Sequence, residues 1–408
     1  MKRVASDALP DTAVRPTERR AEAGAHPMPD RILSTHVGSL PRPADVTELV
    51  FAVEKGEREE DAAFDDLIAR ATRHVLVRQR DTGIDVPSDG EMSKISYATY
   101  IKDRLTGFEG DSPRRPPADL KDFPSFMERQ AKGGGTPSYR RPQCTGPIEV
   151  KTLEPLHADI RRMKSAMDAA GYERGFMNSA TPGVIALFQP SVYHKSHEDY
   201  LADVAEAMRH EYEAIVEAGL TLQLDSPDLG LGRHMMFPDL SEDEFVRKAE
   251  LHVEVLNHAL RNVPGDRVRM HVCWGNYEGP HTHDIGMDKV LPTVVKAKPR
   301  ALLFEASNPR HAHEWQVFKE AKLPDDYVLI PGVIDSTTNF VEHPRLVAER
   351  IERFTNIVGS DRVLAGTDCG FATFAGFGAV DAEIAWAKLR SLAEGTAMAN
   401  DNLVGKAA

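Results

Sequence analysis

Cysteine is scarce in this 408-residue chain: only Cys144, Cys273 and Cys369 are present. Three thiols exclude a disulfide-stapled scaffold and point to a reducing interior. No run of 18 apolar residues occurs, so no membrane-spanning helix is expected. The first 31 residues, rich in proline, alanine and charge, lack the apolar segment of a secretory signal and read as a flexible tail. A cytoplasmic location is the resulting expectation. Excess positive charge is lacking too: 50 Lys and Arg stand against 63 Asp and Glu, a net charge of -13. Nucleic acid and anionic membrane are therefore not expected partners.

What the chain does have is a repeated unit, a short β-branched run followed by a longer amphipathic one. Eight candidate strands can be placed, at 32–37, 83–89, 174–180, 220–225, 267–273, 301–306, 327–333 and 362–368. Helical stretches between them carry recognisable ends: Ser241 and Glu244 form a capping-box pattern, and Gly171 and Gly219 follow helices as C-caps. This alternation predicts an α/β fold, a single (β/α)8 TIM barrel over 32–400, with 401–408 as a C-terminal tail. One insertion, 107–147, is dense in Gly, Pro and charge and reads as a flexible loop or active-site lid. Gly133 to Gly135 within it lack the lysine and serine of a phosphate-binding loop.

In such a barrel the chemistry gathers at the C-terminal strand ends. Potential metal ligands end three of the predicted strands: His271 and Cys273 in "RMHVCWG", Glu305 in "LFEASNP" and Cys369 in "GTDCGF". The two-residue period of a strand puts His271 and Cys273 on one face. Taken alone, H-x-C fits a buried thiol and a core histidine equally well. Two thiolates, an imidazole and a carboxylate together suit zinc, and ligands spread over strand ends suit a catalytic ion better than a structural clip. Zinc at such a site presents a bound thiol as thiolate, so the implied chemistry is attack of sulfur on an activated carbon. Asn178, Ser179, Trp274, Asn276 and Asn308 also fall at predicted strand ends and are candidates to shape the pocket.

"THVGSLPRP", "DGEMSK", "LQLDSPDL", "HVCWGN", "LFEASNP", "IPGVID" and "GTDCGF", in this order, together resemble the catalytic barrel of the cobalamin-independent methionine synthase family. The resemblance implies zinc on His271, Cys273, Glu305 and Cys369, and a thiol amino acid held by Val37, Gly38, Ser39, Glu91 and Asp225, with Asn178 and Trp274 as further substrate contacts. A turn at Gly38 beside the Ser39 hydroxyl suits a carboxylate, and Glu91 and Asp225 suit an ammonium group. The carboxylates expected to take part in the chemistry are Glu91, Asp225 and Asp335.

The chain departs from the family at the methyl-donor end. There is room for one barrel where the folate-dependent enzymes have two. Ser226 replaces a glutamate, Leu231 stands at the pterin-contacting position, and Thr337 replaces the proton-donating histidine. A neutral threonine is no acid near pH 7. Other histidines, His36, His194, His234, His281 and His283, are more readily surface or loop residues than the missing acid.

The expected function is zinc-dependent transfer of a methyl or alkyl group to a thiol, with homocysteine the first candidate acceptor and a folate-type donor left open. The alternatives are a thiol transferase of the epoxyalkane:coenzyme M type, for which Arg42, Lys94, Arg140 or Arg141 would meet the sulfonate, a metal-independent decarboxylase of the uroporphyrinogen type, and a non-catalytic metal-holding protein. A homodimer is compatible with the sequence, although no surface stripe marks an interface.

Overall fold

A computed structural model describes residues 31–113, 116–132 and 140–407. The expected tail therefore lies outside the described residues except for Arg31, whose guanidinium pairs with Asp85 at 2.5 Å. Two short strands, β1 (Phe108–Glu109) and β2 (Gln143–Cys144), pair antiparallel and close the base of the insertion. The main sheet follows in chain order: β3 (Phe176–Ala180), β4 (Thr221–Asp225), β5 (Val268–Val272), β6 (Ala301–Glu305), β7 (Val328–Ile334) and β8 (Gly366–Thr367). All neighbours in it are parallel, in the order β3-β4-β5-β6-β7-β8.

The expected closed eight-stranded barrel is not what forms. The sheet is an open one of six strands, and the segments predicted as the first two strands join it only through isolated bridges, Ser34 to Ala365 and Ser88 to Phe176. Both segments are apolar enough to pattern as strands, but their polar side chains compete for the backbone. The Asp85 carboxylate accepts from the Ser34 N–H at 2.9 Å and from its hydroxyl at 3.0 Å. Such local side-chain bonds replace ladder bonds. Pro87 has no N–H to donate, so 83–89 cannot continue a ladder.

Residues 32–40 are nonetheless held inside the fold by a buried polar strut. Arg269 of β5 donates to Gln223 at 2.6 Å, to the Thr35 hydroxyl at 2.9 Å and to the His36 carbonyl at 2.8 Å, with its guanidinium 3.5 Å from the Phe176 ring centroid. A buried charge is tolerable where its donors are satisfied this way. Helices cover the sheet, and their ends follow sequence signals. Ser241 and Glu244 form the capping box of helix Glu242–Ala259, and Gly171 ends helix Glu154–Ala170 in the left-handed conformation. The last helix runs Ala382–Ala407, so 401–407, expected as a tail, is helical. No helix among the described residues is long and apolar enough to cross a membrane.

Candidate metal centre

The strand alternation that put His271 and Cys273 on one face holds. His271 is the fourth residue of β5, and Cys273 lies one residue past its end. Cys369 follows β8 by two residues, and Glu305 is the last residue of β6. Their strands converge, so ligand atoms of His271, Cys273 and Cys369 all lie within 4.8 Å of one another. The Cys369 Sγ is 3.5 Å from His271 Nε2 and 4.0 Å from Glu305 Oε1. All of these side chains are buried.

Electrostatics at this cluster favour one thiolate sharing the proton of the other thiol. Cys273 is pushed well below the usual thiol range, first by its hydrogen bond with Cys369, and Cys369 is pushed well above it by the same bond and by burial. Burial raises the Glu305 carboxyl to about 7, partly offset by His311. Glu305 is aimed by two donors, the Trp274 N–H at 2.9 Å and the Asn308 amide at 2.5 Å. The residues fit zinc: two sulfurs, an imidazole and a nearby carboxylate make a tetrahedral donor set, and the Nδ1 of His271 is buried with no protein partner.

Beside the cluster, the residues implied to bind the amino acid come together on one cavity wall. Val37, Ser39, Glu91 and Asp225 line a cavity of about 860 Å³ with His271, Cys273 and Cys369. Asn178 organises this corner: its amide donates to the Val37 carbonyl and to Asp225 Oδ2, each at 2.9 Å. A Cβ on Gly38, at φ +143°, would lie 2.2 Å from the Asn178 side-chain oxygen, so the close approach requires glycine. Glu91 adopts the left-handed conformation at φ 57°, uncommon for a residue with a side chain. Its Oε2 is buried without a partner. Burial raises Glu91 to about 7 and also raises Asp225, while Lys94 works to lower Glu91.

With this geometry in hand, comparison with known proteins is informative. A family model, the catalytic domain of cobalamin-independent synthases, matches residues 130–388. The chain belongs to this cobalamin-independent synthase family. The methionine synthase of Saccharolobus solfataricus is 26% identical over 381 residues, covering 91% of this chain and 96% of that protein. That of Sulfurisphaera tokodaii is 24% identical over 379 residues, covering 91% and 94%. Among solved structures, a B12-independent methionine synthase from Shewanella sp. W3-18-1 in complex with selenomethionine matches with a TM-score of 0.67 at 17% identity, over 92% of this chain and 99% of that one. A putative vitamin-B12 independent methionine synthase from Listeria monocytogenes matches with a TM-score of 0.61 at 20% identity, over 90% and 98%. Family membership and the buried N/S/S cluster make this chain a zinc-using enzyme of thiol alkylation in general terms.

The other end of the synthase cavity is apolar and aromatic. Tyr97, Phe188, Leu231, Met235, Phe374 and Phe377 line it, and the insertion closes over it with Pro117, Leu120, Met127 and Arg141. The helices of the insertion, Ala118–Asp122 and Pro124–Lys132, are clasped to the loop that follows the metal motif. Buried Asp119 accepts from the Tyr277 hydroxyl and from the His281 N–H, both at 2.8 Å, and Asp122 meets His283 at 2.6 Å. Gly133 to Gly135 lie outside the described residues. Cys144 is buried in β2 and faces the Gly146 carbonyl, 3.3 Å away.

Several expected site residues stand outside the cavity lining. The Trp274 indole is buried in the core, donating to the Ile285 carbonyl at 2.6 Å and stacking on His311 at 3.9 Å, so it reaches the centre only through its backbone N–H. Asp335 turns back on its own loop, accepting from the Thr337 N–H and hydroxyl at 2.9 and 2.8 Å. His36, His194, His234, His281 and His283 do not line the cavity either. Sequence reasoning passed over Asp368, beside Cys369. Its carboxylate accepts from the N–H groups of Ala306, Ser307 and Asn308 and so fixes the loop that carries Glu305. The signal was an acid next to a ligand in "GTDCGF".

Proposed function

We propose that this enzyme S-methylates homocysteine, with zinc held by His271, Cys273, Cys369 and Glu305. The observation that carries the reading is the pairing of two carboxylates, Glu91 and Asp225, with the His/Cys/Cys cluster on one cavity wall. Bound zinc would lower the pKa of an incoming thiol and present it as thiolate. The protein's own part is placement. Glu91 and Asp225 take the substrate ammonium, and Ser39 with the backbone at Val37 and Gly38 takes its carboxylate. The apolar far wall and the insertion exclude water from the path of the transferred alkyl group. Residues 32–400 act as one catalytic unit in this reading, and curated relatives of matching length that carry the name methionine synthase support it.

A coenzyme M acceptor is less well served. Of the cations that would meet a sulfonate, Arg42 is engaged with the carbonyls of Glu91, Lys94 and Ala372, Lys94 with that of Asn178, and Arg140 with Glu54. Arg141 alone of these four lines the cavity. A metal-independent decarboxylase would leave the paired thiols without a role. The test is a comparison of acceptors on zinc-loaded enzyme with a panel of methyl donors. Turnover of homocysteine to methionine, with coenzyme M inert, is the expected result. Preferential alkylation of coenzyme M would overturn the proposal.

A further inference from the structure

Two buried carboxylates facing one cavity repel each other, and burial disfavours both charges. An ammonium site needs them ionised before substrate arrives, so a counter-charge must stand behind the wall. Glu91 is faced by Asp89 and Lys94 from its own segment, by Arg42 from the preceding one and by Asp225 from β4. The hydrogen bonds of Arg42 go to backbone carbonyls, including that of Glu91 at 2.6 Å, which fixes the left-handed turn.

Lys94 is placed differently. It is only 4% exposed and lines a second, small cavity of about 70 Å³ with Tyr100, Arg104 and Asp159, on the far side of the wall from the substrate. Its ammonium donates to the Asn178 carbonyl at 2.7 Å and sits 4.3 Å over the Tyr100 ring. Tyr100 is in turn anchored on Glu211, which pairs with Arg104 at 2.7 Å. The lysine is thus pinned by strand β3 and an aromatic face, and the residue whose carbonyl it holds is the one whose amide orients Asp225.

We propose that Lys94, without touching substrate, is a positioning residue that keeps Glu91 ionised for the substrate ammonium and fixes Asp225 through Asn178. The inference rests on the amino-acid reading of the site. With Glu91 near 7, losing the lysine moves its ionisation to higher pH. A rise of about one unit lowers the ionised fraction at pH 7 from about one half to about one tenth, roughly a fivefold loss of affinity for an amino thiol.

The test uses zinc-loaded wild type, Lys94→Met, Lys94→Gln and Lys94→Arg. Dissociation constants are measured calorimetrically from about pH 6 to about pH 9 for homocysteine and for 4-sulfanylbutanoate, which lacks the amine. In the Met and Gln variants, homocysteine binding should weaken about fivefold at pH 7 and recover at higher pH. The des-amino thiol should bind as in wild type, and Lys94→Arg should restore the wild-type profile. An unchanged homocysteine profile in folded, zinc-retaining Met or Gln variants overturns the role of Lys94 alone. Loss of fold or zinc in both makes Lys94 a structural residue and also overturns it. Wild type that fails to distinguish the two thiols removes the amino-acid reading itself.

Discussion

The two ends of the cavity are built by different means. At the thiol end, the groups that matter sit at or just past the C-terminal ends of β4, β5, β6 and β8, and each is fixed by at least one neighbour: Glu305 by Trp274 and Asn308, Asp225 by Asn178 and Gln223. At the donor end, the walls are aromatic side chains and an insertion fastened by a few polar contacts. Strand ends hold a reacting centre to sub-ångström tolerance, whereas loops set what can approach it. The family's chemistry is retained at the rigid end, and the chain departs from the family at the end made of loops, where Leu231 lines the cavity and Thr337 bonds to Asp335.

This contrast can be broken in order of effect. Cys369→Ser removes a soft ligand from the rigid end. Zinc content should fall and methyl transfer should drop by more than about 100-fold, with no recovery at high substrate, as metal analysis and steady-state kinetics would show. Asp119→Ala acts on the other end, leaving the Tyr277 hydroxyl and the His281 N–H without their acceptor. At about 1–3 kcal/mol for such a loss, the KM for the alkyl donor should rise by about tenfold while homocysteine affinity and zinc content stay near wild type. A variant that weakens both substrates equally would show that the insertion is not confined to the donor side.

The sequence made the thiol end legible because a strand has a period of two. His271 and Cys273 had to share a face once β5 was placed. Cys369 was found although β8 is only two residues long, because it ends a motif. The closed barrel was misjudged for a physical reason: 32–37 and 83–89 have strand-like apolar patterns, but Ser34, Asp85 and Pro87 divert their hydrogen bonding, which a hydrophobic pattern does not register. Long-range pairings were equally hidden. Nothing near Asp119 in sequence announces that its partners lie about 160 residues away at Tyr277 and His281. Lys94 was visible only as a basic residue near a motif, and its burial against Tyr100 reverses the role considered for it, from sulfonate partner to counter-charge behind the wall.

The central claim is that the thiol substrate becomes a ligand of a zinc ion held at the ends of these strands. Zinc-edge X-ray absorption on purified enzyme, with and without homocysteine, tests it most directly. The account predicts a shell of two sulfurs and two nitrogen or oxygen donors, from Cys273, Cys369, His271 and Glu305, that gains a third sulfur when homocysteine is added. A protein that holds no zinc, or a shell unchanged at saturating homocysteine, would contradict it.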